Sequence, residues 1–246
     1  MSRKSFGLVG KGIGYSFSRK YFTERFDNDD ASNCSYRNFD LSDISLFPQL
    51  LSNHPELAGL NVTIPYKETI IPFLDKLSTT AAVIGAVNVI RFTKKGKLKG
   101  YNSDYYGFKK SLEPLLRPYH KNALILGTGG ASKAVAFALK SLGISYTFVS
   151  REGSVNAIDY KSIDEAAFEH YQIVINCTPL GTSPNIGDFP PIPYEYFTAK
   201  HIAFDLIYNP EETEFLRLAK KKGAVIKNGM DMLIFQAEKA WQIWNR

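Results

Sequence analysis

The second half of the chain alternates short apolar runs with stretches of helical periodicity. Apolar runs of strand length cover residues 123–126, 145–149, 173–176, 202–205 and 224–226. Helical patterns between and after these runs cover residues 131–142, 163–168 and 211–221. This alternation predicts a parallel sheet with helices on both faces.

The first half is less regular but also mixes strands and helices. The predicted strands cover 5–9, 60–64, 86–92 and 97–101, with a turn at 94–96 joining the last two. The predicted helices cover 18–26, 41–51 with Ser42 as N-cap, 65–74, and a stretch that begins near Asp104 and ends at 112–116. The apolar helix predicted at 230–244 is expected to return to this half.

These patterns define the fold class as α/β with two domains. We expect an N-terminal α/β domain over residues 1–103, completed by the C-terminal helix 230–246. We expect a C-terminal α/β domain with a parallel sheet over residues 104–229. Ligand sites often lie at domain interfaces, so a cleft between the two domains is the expected place for the reaction.

Composition excludes several classes of function. The chain has 246 residues, of which 44% are hydrophobic and 22% are charged, as in ordinary globular proteins. A net charge of +6 with only short basic runs argues against nucleic acid as a partner. Two cysteines and four scattered histidines predict neither a disulfide framework nor a metal site. No apolar run approaches the roughly 18 residues of a membrane span, and we expect a cytoplasmic monomer or homodimer.

A glycine turn follows the predicted strand 123–126 and opens the next helix. Gly127 suits the tight turn, and Gly129 or Gly130 lets the backbone approach a pyrophosphate at the helix N-terminus, beside Ala131. Ser132 stands at the third glycine position, so the match to the dinucleotide fingerprint is imperfect. The context of strand, turn and helix nevertheless predicts a nucleotide cofactor.

The end of the next strand bears on the type of cofactor. An NAD site usually carries an acidic residue there, whereas this chain has Ser150 followed by Arg151. A guanidinium can pair with a 2′-phosphate, which predicts NADP. Glu152 would repel that phosphate if it pointed inward, so a preference for NAD stays open.

Two charged residues lie in short segments whose composition indicates catalysis. Lys67 ends the run 59–67, and Asp104 lies within 100–107. A lysine and an aspartate held together can move a proton to or from a hydroxyl group. The alternative is a surface lysine with a helix-capping aspartate. Proton transfer beside a nucleotide predicts a dehydrogenase.

Taken together, the segments are recognisable. The chain resembles the shikimate dehydrogenase family along nearly its whole length, through eight motifs in the family's order. The matching segments are 16–18, 61–67, 84–88, 100–104, 127–132, 175–181, 205–210 and 232–237.

The resemblance implies the activity and the residues that perform it. It implies that the N-terminal α/β domain is substrate-binding and that the C-terminal domain is a Rossmann-type dinucleotide-binding domain. It also implies reversible reduction of 3-dehydroshikimate to shikimate with NADPH, with Lys67 and Asp104 as the catalytic pair. The substrate-binding residues it implies are Ser16, Ser18, Asn61, Thr63, Asn88, Asp104, Tyr208 and Gln236. The cofactor-binding residues it implies, besides the glycine turn and Ser150–Arg151, are Thr178, Leu206, Gly229 and Met232.

The chain departs from the family pattern at a few positions, and rival functions stay open. Tyr15 stands where the family usually has histidine, Arg19 where it has proline, and Glu152 where it has threonine. The rivals are a quinate/shikimate dehydrogenase that uses NAD, a folate-type dehydrogenase, and a nucleotide-binding regulator without turnover. The presence of both Lys67 and Asp104 disfavours the regulator, and the hydroxyl-rich loop at Ser16 and Ser18 disfavours the folate-type enzyme.

Overall fold

The computed structural model describes residues 4–14, 16–28 and 33–246, so Tyr15 lies outside the described residues. The chain divides into two compact units. The first unit is the chain up to Ser103 together with Ala237–Arg246, and the second is Asp104–Gln236.

The first unit contains a six-stranded mixed sheet with the strand order β2-β1-β3-β5-β6-β4. Its strands are β1 (Lys4–Gly10), β2 (Cys34–Asp40), β3 (Leu57–Val62), β4 (Lys76–Leu77), β5 (Val89–Phe92) and β6 (Leu98–Tyr101). Its helices are α1 (Phe17–Asn28), α2 (Phe47–Asn53) and α3 (Thr79–Ile84). Strand β1 lies parallel to β2 and β3, whereas β5 is antiparallel to β3 and β6.

Alternation of side chains along β1 gives this sheet a core on each face. Phe6 and Leu8 belong to an aromatic core that includes Phe22, Trp241 and Trp244. Val9 points the other way, into a second core made largely of aliphatic side chains. Both faces of the sheet are therefore covered.

The second unit contains a six-stranded parallel sheet with the order β12-β11-β10-β7-β8-β9. Its strands are β7 (Asn122–Leu126), β8 (Ser145–Ser150), β9 (Ala157–Asp159), β10 (Ile173–Asn176), β11 (Ile202–Asp205) and β12 (Val225–Lys227). Its helices are α4 (Asp104–Leu112), α5 (Gly130–Ser141), α6 (Glu165–His170), α7 (Glu214–Lys221) and the first part of α8 (Met230–Trp244). Leu124 and Ile125 face opposite cores, as expected for a strand buried on both sides.

Helix α8 belongs to both units, which differs from the expectation that residues 230–246 all complete the first domain. The division falls after Gln236. In the second unit, Gly107 of α4 lies so close to α8 that a Cβ there would overlap the carbonyl oxygen of Met232. In the first unit, the indole of Trp244 donates a hydrogen bond of 3.0 Å to the carbonyl oxygen of Ile90.

Several local predictions were wrong, for identifiable reasons. The predicted helix 65–74 is a series of turns with one 3₁₀ turn at Ile71–Phe73, because Pro72 has no N–H to donate within a helix. The predicted N-cap Ser42 is not the cap, since Asp43 accepts from the backbone N–H of Ser45 at 2.8 Å and begins a 3₁₀ turn before α2.

Three strands and one helix were not predicted at all. Strands β2, β4 and β9 and helix α3 are short or carry few apolar residues, so hydrophobic periodicity does not mark them. No helix among residues 4–14, 16–28 and 33–246 combines the length and hydropathy that crossing a membrane requires.

Candidate active site

A row of buried amide and hydroxyl groups crosses the first unit at the carboxyl end of β3. Asn61 lies on β3, and its side-chain Nδ2 donates to the carbonyl oxygen of Asn88 at 3.2 Å. The side chain of Asn88 donates to the hydroxyl of Ser103 at 3.0 Å and accepts from the Ser103 N–H at 2.6 Å. Asn61, Asn88 and Ser103 are all deeply buried, since their exposed fractions are 4%, 3% and 0%.

The row continues in the other direction through a residue that sequence reasoning missed. The hydroxyl of Tyr36 on β2 donates to Oδ1 of Asn61 at 2.7 Å. Burial raises the pKa of Tyr36, and a hydrogen bond from the side chain of Ser18 lowers it by less. The structure therefore joins two predicted substrate residues, Asn61 and Asn88, in one network with Tyr36, and a third, Ser18, lies beside the tyrosine oxygen. Tyr36 could have been suspected only as the single buried aromatic of a polar strand.

Two further predicted substrate residues lie in the loops of the first unit. The Ser16 hydroxyl accepts from the backbone N–H of Arg19 at 3.3 Å, so it caps the start of α1. Thr63 directly follows β3 and is half-buried, and its N–H donates to the carbonyl oxygen of Val9 at 2.9 Å. These hydrogen bonds hold both loops in place. The roles of Ser16 and Thr63 in substrate binding stay predictions.

The predicted catalytic residues lie next to the buried row along the chain. The backbone carbonyl of Lys67 accepts from the N–H of Val87 at 2.7 Å, which ties the lysine loop to the segment that carries Asn88. Asp104 follows Ser103 directly, begins α4 and is 6% exposed. A carboxylate at a helix N-terminus is stabilised by the helix dipole. Lys67 belongs to the first unit and Asp104 to the second, and their convergence stays a prediction.

The glycine turn of the second unit has the backbone geometry that a close-approach loop needs. Gly127 has φ of 102°, a left-handed conformation that side chains rarely adopt. Gly129 is the N-cap of the 12-residue helix α5, and added side-chain atoms there would meet open space. Ser132 is buried and its hydroxyl donates to the carbonyl oxygen of Gly129 at 2.6 Å. Serine therefore fills the third position by bonding back to the turn, and Ala131 beside it is half-buried.

The end of β8 presents an exposed cation. Ser150 pairs with Asp159 of the neighbouring strand β9, and the exposed residues Arg151 and Glu152 follow it. Tyr160 lies nearby: burial raises its pKa, and the charge of Arg151 lowers it by less. Arg151 can therefore meet an anionic group from solvent without first leaving a buried ion pair.

A second buried network holds the loops at the carboxyl ends of β10 and β11. The hydroxyl of Thr178 donates to Oδ1 of Asn176 at 2.6 Å, and Nδ2 of Asn176 donates to Oδ1 of Asp205 at 3.1 Å. The same Asp205 carboxylate accepts from the Ile207 N–H at 3.0 Å and from the Thr213 hydroxyl at 2.6 Å. Burial raises the pKa of Asp205 from 3.8 to about 6, against the opposing effect of these hydrogen bonds.

The remaining predicted cofactor residues lie beside this network. A Cβ on Gly229 would overlap the carbonyl oxygen of Leu206, so the two backbones can approach only because residue 229 is glycine. The N–H of Gly229 donates to the carbonyl oxygen of Ile207 at 2.9 Å. Met232 is buried in the core shared by α4 and α5. These contacts fix Leu206 and Gly229 next to each other beyond the carboxyl end of β11.

Two predicted substrate residues belong to the second unit. Tyr208 is half-buried, and burial raises its pKa. Gln236 is buried on α8, and its Nε2 donates to the carbonyl oxygen of Leu233 at 2.9 Å. Their approach to a substrate stays a prediction.

Comparison with known proteins gives one consistent family. The family model described as the shikimate dehydrogenase substrate binding domain matches residues 8–90. The chain is 35% identical to the shikimate dehydrogenase (NADP(+)) of Desulforamulus reducens, over 97% of this chain and 88% of that protein. It is 41% identical to the protein of the same name from Methanosphaera stadtmanae, over 76% of this chain and 72% of that protein.

Solved structures agree with this result. The shikimate 5-dehydrogenase of Thermus thermophilus, in complex with NADP(H) and shikimate, matches with a TM-score of 0.86 and 30% identity. That match covers 98% of this chain and 93% of the Thermus chain. The quinate dehydrogenase of Corynebacterium glutamicum, in complex with NAD, matches with a TM-score of 0.87 and 26% identity, over 99% and 94% of the two chains.

Proposed function

We propose that this chain, which belongs to the shikimate dehydrogenase family, catalyses the reversible reduction of 3-dehydroshikimate to shikimate with NADPH. The observation that carries the proposal is the buried row of Asn61, Asn88 and Ser103, which ends beside Asp104 in the chain. Relatives named for this reaction match the chain over most of its length.

The buried row suits a small polyol acid. Burying amide and hydroxyl groups is unfavourable unless they are hydrogen-bonded, and a ligand with several hydroxyls can bond to such groups in turn. Asn61, Thr63 and Asn88 are proposed to bind the ring hydroxyls, and Ser16 and Ser18 the carboxylate. Tyr208 and Gln236 are also proposed to bind the substrate.

Lys67 and Asp104 are proposed to carry out the proton transfer of the reaction. NADPH supplies the hydride when it is bound. Negative charge builds on the carbonyl oxygen of 3-dehydroshikimate as it is reduced, and the Lys67 ammonium stabilises that charge and donates a proton to it. In the reverse direction, the Lys67 amine takes the proton from the hydroxyl. Asp104 is proposed to orient Lys67 and to bind a neighbouring hydroxyl.

The glycine turn and the exposed arginine fit the pyrophosphate and the 2′-phosphate of NADP. Gly127 and Gly130 are proposed to shape the turn, and the open space at Gly129 suits a pyrophosphate at the N-terminus of α5, where the helix dipole favours negative charge. Arg151, next to Ser150, is proposed to pair with the 2′-phosphate. Thr178, Leu206, Gly229 and Met232 are proposed to line the nicotinamide end.

The direct test is the formation of reduced nicotinamide by the purified protein, followed by absorbance with shikimate and either NADP or NAD. We expect turnover that depends on shikimate and a higher kcat/KM with NADP. A folded protein that turns over neither cofactor with shikimate would contradict the proposal, and a clear preference for NAD would contradict the part assigned to Arg151.

A second candidate is a quinate/shikimate dehydrogenase that uses NAD. Glu152 beside Arg151 and the structural likeness to a quinate dehydrogenase with bound NAD favour it. The same assay with quinate in place of shikimate separates the two, because this candidate predicts comparable kcat/KM for both acids.

A cytoplasmic location and a monomeric or homodimeric state are also proposed. The two cysteines are both free, which fits a reducing compartment.

A further inference from the structure

The hydrogen bond between Tyr36 and Asn61 spans the strand that lies between them. Tyr36 lies on β2 and Asn61 on β3, and β1 runs between them, with Phe6 opposite Tyr36 and Leu8 opposite Asn61. The tyrosine hydroxyl nevertheless reaches Oδ1 of Asn61 at 2.7 Å. Both residues face the aromatic core, so the hydrogen bond forms at the rim of that core, away from bulk solvent.

The partners of Asn61 determine which way its side-chain amide faces. The Asn88 carbonyl can only accept, so the nitrogen end of the Asn61 amide must face it, at 3.2 Å. The oxygen end then faces Tyr36, whose hydroxyl must donate to it. Ser18 lies close enough to the tyrosine oxygen to lower the pKa of the phenol, by less than burial raises it. The donors run in the same direction from Tyr36 through Asn61 to the backbone carbonyl of Asn88, an arrangement in which each hydrogen bond strengthens the next.

In this arrangement the side-chain oxygen of Asn61 and one of its two amide N–H groups are already hydrogen-bonded. Within residues 4–14, 16–28 and 33–246, a single Asn61 side-chain N–H is hydrogen-bonded, which leaves the second as a donor for a ligand hydroxyl. An amide rotated by half a turn would present an acceptor in place of that donor. The direction of the Asn61 amide therefore determines what a substrate meets.

The tyrosine ring is held firmly enough to fix this direction. Phe22 of α1 stacks on the Tyr36 ring with a centroid distance of 4.8 Å and an interplanar angle of 15°. The ring is 6% exposed. Burial also keeps the phenol protonated by raising its pKa, so it remains a donor over the working range of pH.

We infer that Tyr36 is a positioning residue for substrate binding, which acts by holding the Asn61 amide with its nitrogen toward the ligand. The inference rests on the proposed function, because it assigns the ligand as the hydroxyl-bearing acid. Tyr36 does not need to touch that ligand itself.

The test is Tyr36→Phe, which keeps the stacked ring and removes only the hydroxyl. Loss of a single hydrogen bond worth about 1.4 kcal/mol predicts a rise of about tenfold in KM for shikimate. The KM for NADP is expected to stay within about twofold and kcat to fall by less than about threefold, because neither the cofactor residues nor the proton donor change. The control is Tyr171→Phe, which removes a hydroxyl bonded to Thr147 Oγ1 at 2.9 Å in the second unit and is expected to leave all three constants unchanged.

A double-mutant cycle with Asn61→Leu separates positioning from a general loss of stability. Because Tyr36 acts through Asn61, adding Tyr36→Phe to Asn61→Leu is expected to change the shikimate KM by less than about twofold. A further tenfold rise in the double variant would overturn the inference. This comparison also decides the matter if Tyr36→Phe alone does not fold, because replacing both partners by apolar groups leaves no unpaired buried oxygen.

The outcomes distinguish this inference from the proposed function. An active wild-type protein with an unchanged shikimate KM in Tyr36→Phe would refute the positioning role alone. A folded wild-type protein without shikimate turnover would refute the proposed function and the inference with it.

Discussion

At the scale of single residues, Gly229 is required by a backbone contact rather than by flexibility. Its Cα lies against the carbonyl group of Leu206, so a methyl group there must displace one of the two chain segments. We expect Gly229→Ala to lower the free energy of unfolding by about 1–3 kcal/mol, as overpacking does. It should also raise the KM for NADP, since both residues are proposed to line the nicotinamide end.

Urea unfolding followed by circular dichroism measures the first effect, and steady-state kinetics measures the second. Gly187 provides the matched control, because a Cβ there would meet only open space. Equal stability of Gly229→Ala and Gly187→Ala would show that the contact with Leu206 is not constraining.

The sequence motifs mark most of the buried row but not Tyr36, which lies at one end of it. Ser18, Asn61 and Asn88 stand in motifs that resemble a known family, whereas Tyr36 lies in a strand that hydrophobic periodicity did not reveal. Its role depends on the order of β2, β1 and β3 in the sheet, which is not a local property of the sequence. Asp205 lies in one of the recognised motifs, but only the fold shows that it joins Asn176 to Thr213.

At the scale of elements, Asp205 connects the carboxyl end of β11 with that of β10 and with the start of α7. Burial raises its pKa from 3.8 to about 6, so the folded protein retains a proton that the unfolded chain releases. Stability therefore falls as the pH rises from about 4 to about 6, by roughly 3 kcal/mol for a shift of about two pKa units.

Asp205→Asn removes this titration, because an amide does not ionise in that range. The free energy of unfolding of the variant, relative to wild type, is expected to increase over the same interval of pH. Urea unfolding at several pH values between about 4 and about 7 measures the difference, with the exposed Asp188→Asn as control. Parallel pH profiles for Asp205→Asn and wild type would contradict the account of this network.

Long elements with strong periodicity were predicted well, and short ones were not. Helix α5 and strands β7, β10 and β11 lie where the alternation of apolar runs and helical patterns indicated. The segment 65–74 failed because a helical count of apolar residues overlooked the missing donor at Pro72. Strand β9 is three residues long, too short for any periodicity to mark it.

At the scale of the whole molecule, the α/β class was predicted and is confirmed, and so is the resemblance to the shikimate dehydrogenase family. The alternation of strands and helices in the second half was sufficient for a parallel sheet, because parallel strands need crossover connections of the kind that a helix provides. The mixed sheet of the first unit was not predictable in the same way. This sheet combines parallel pairs, such as β1 with β2, and antiparallel pairs, such as β3 with β5. The order of the strands along the chain does not determine their order in such a sheet.

Helix α8, at the end of the chain, contributes residues to both units. Helix α8 begins in the second unit, and its last turns place Trp241 and Trp244 in the aromatic core of the first. Phe6 of β1 stacks on Trp244 with a centroid distance of 4.8 Å, so the first strand and the last helix share one core. The core beside the buried row is thus assembled from both ends of the chain.

The central claim is that Lys67 donates the proton to the substrate carbonyl, and kcat of Lys67→Ala tests it most directly. With 3-dehydroshikimate and NADPH, removal of a general acid is expected to lower kcat by about 100- to 10,000-fold. The exposed Lys94→Ala serves as control and is expected to match wild type. A folded Lys67→Ala protein whose kcat stays within about twofold of wild type would contradict the assignment.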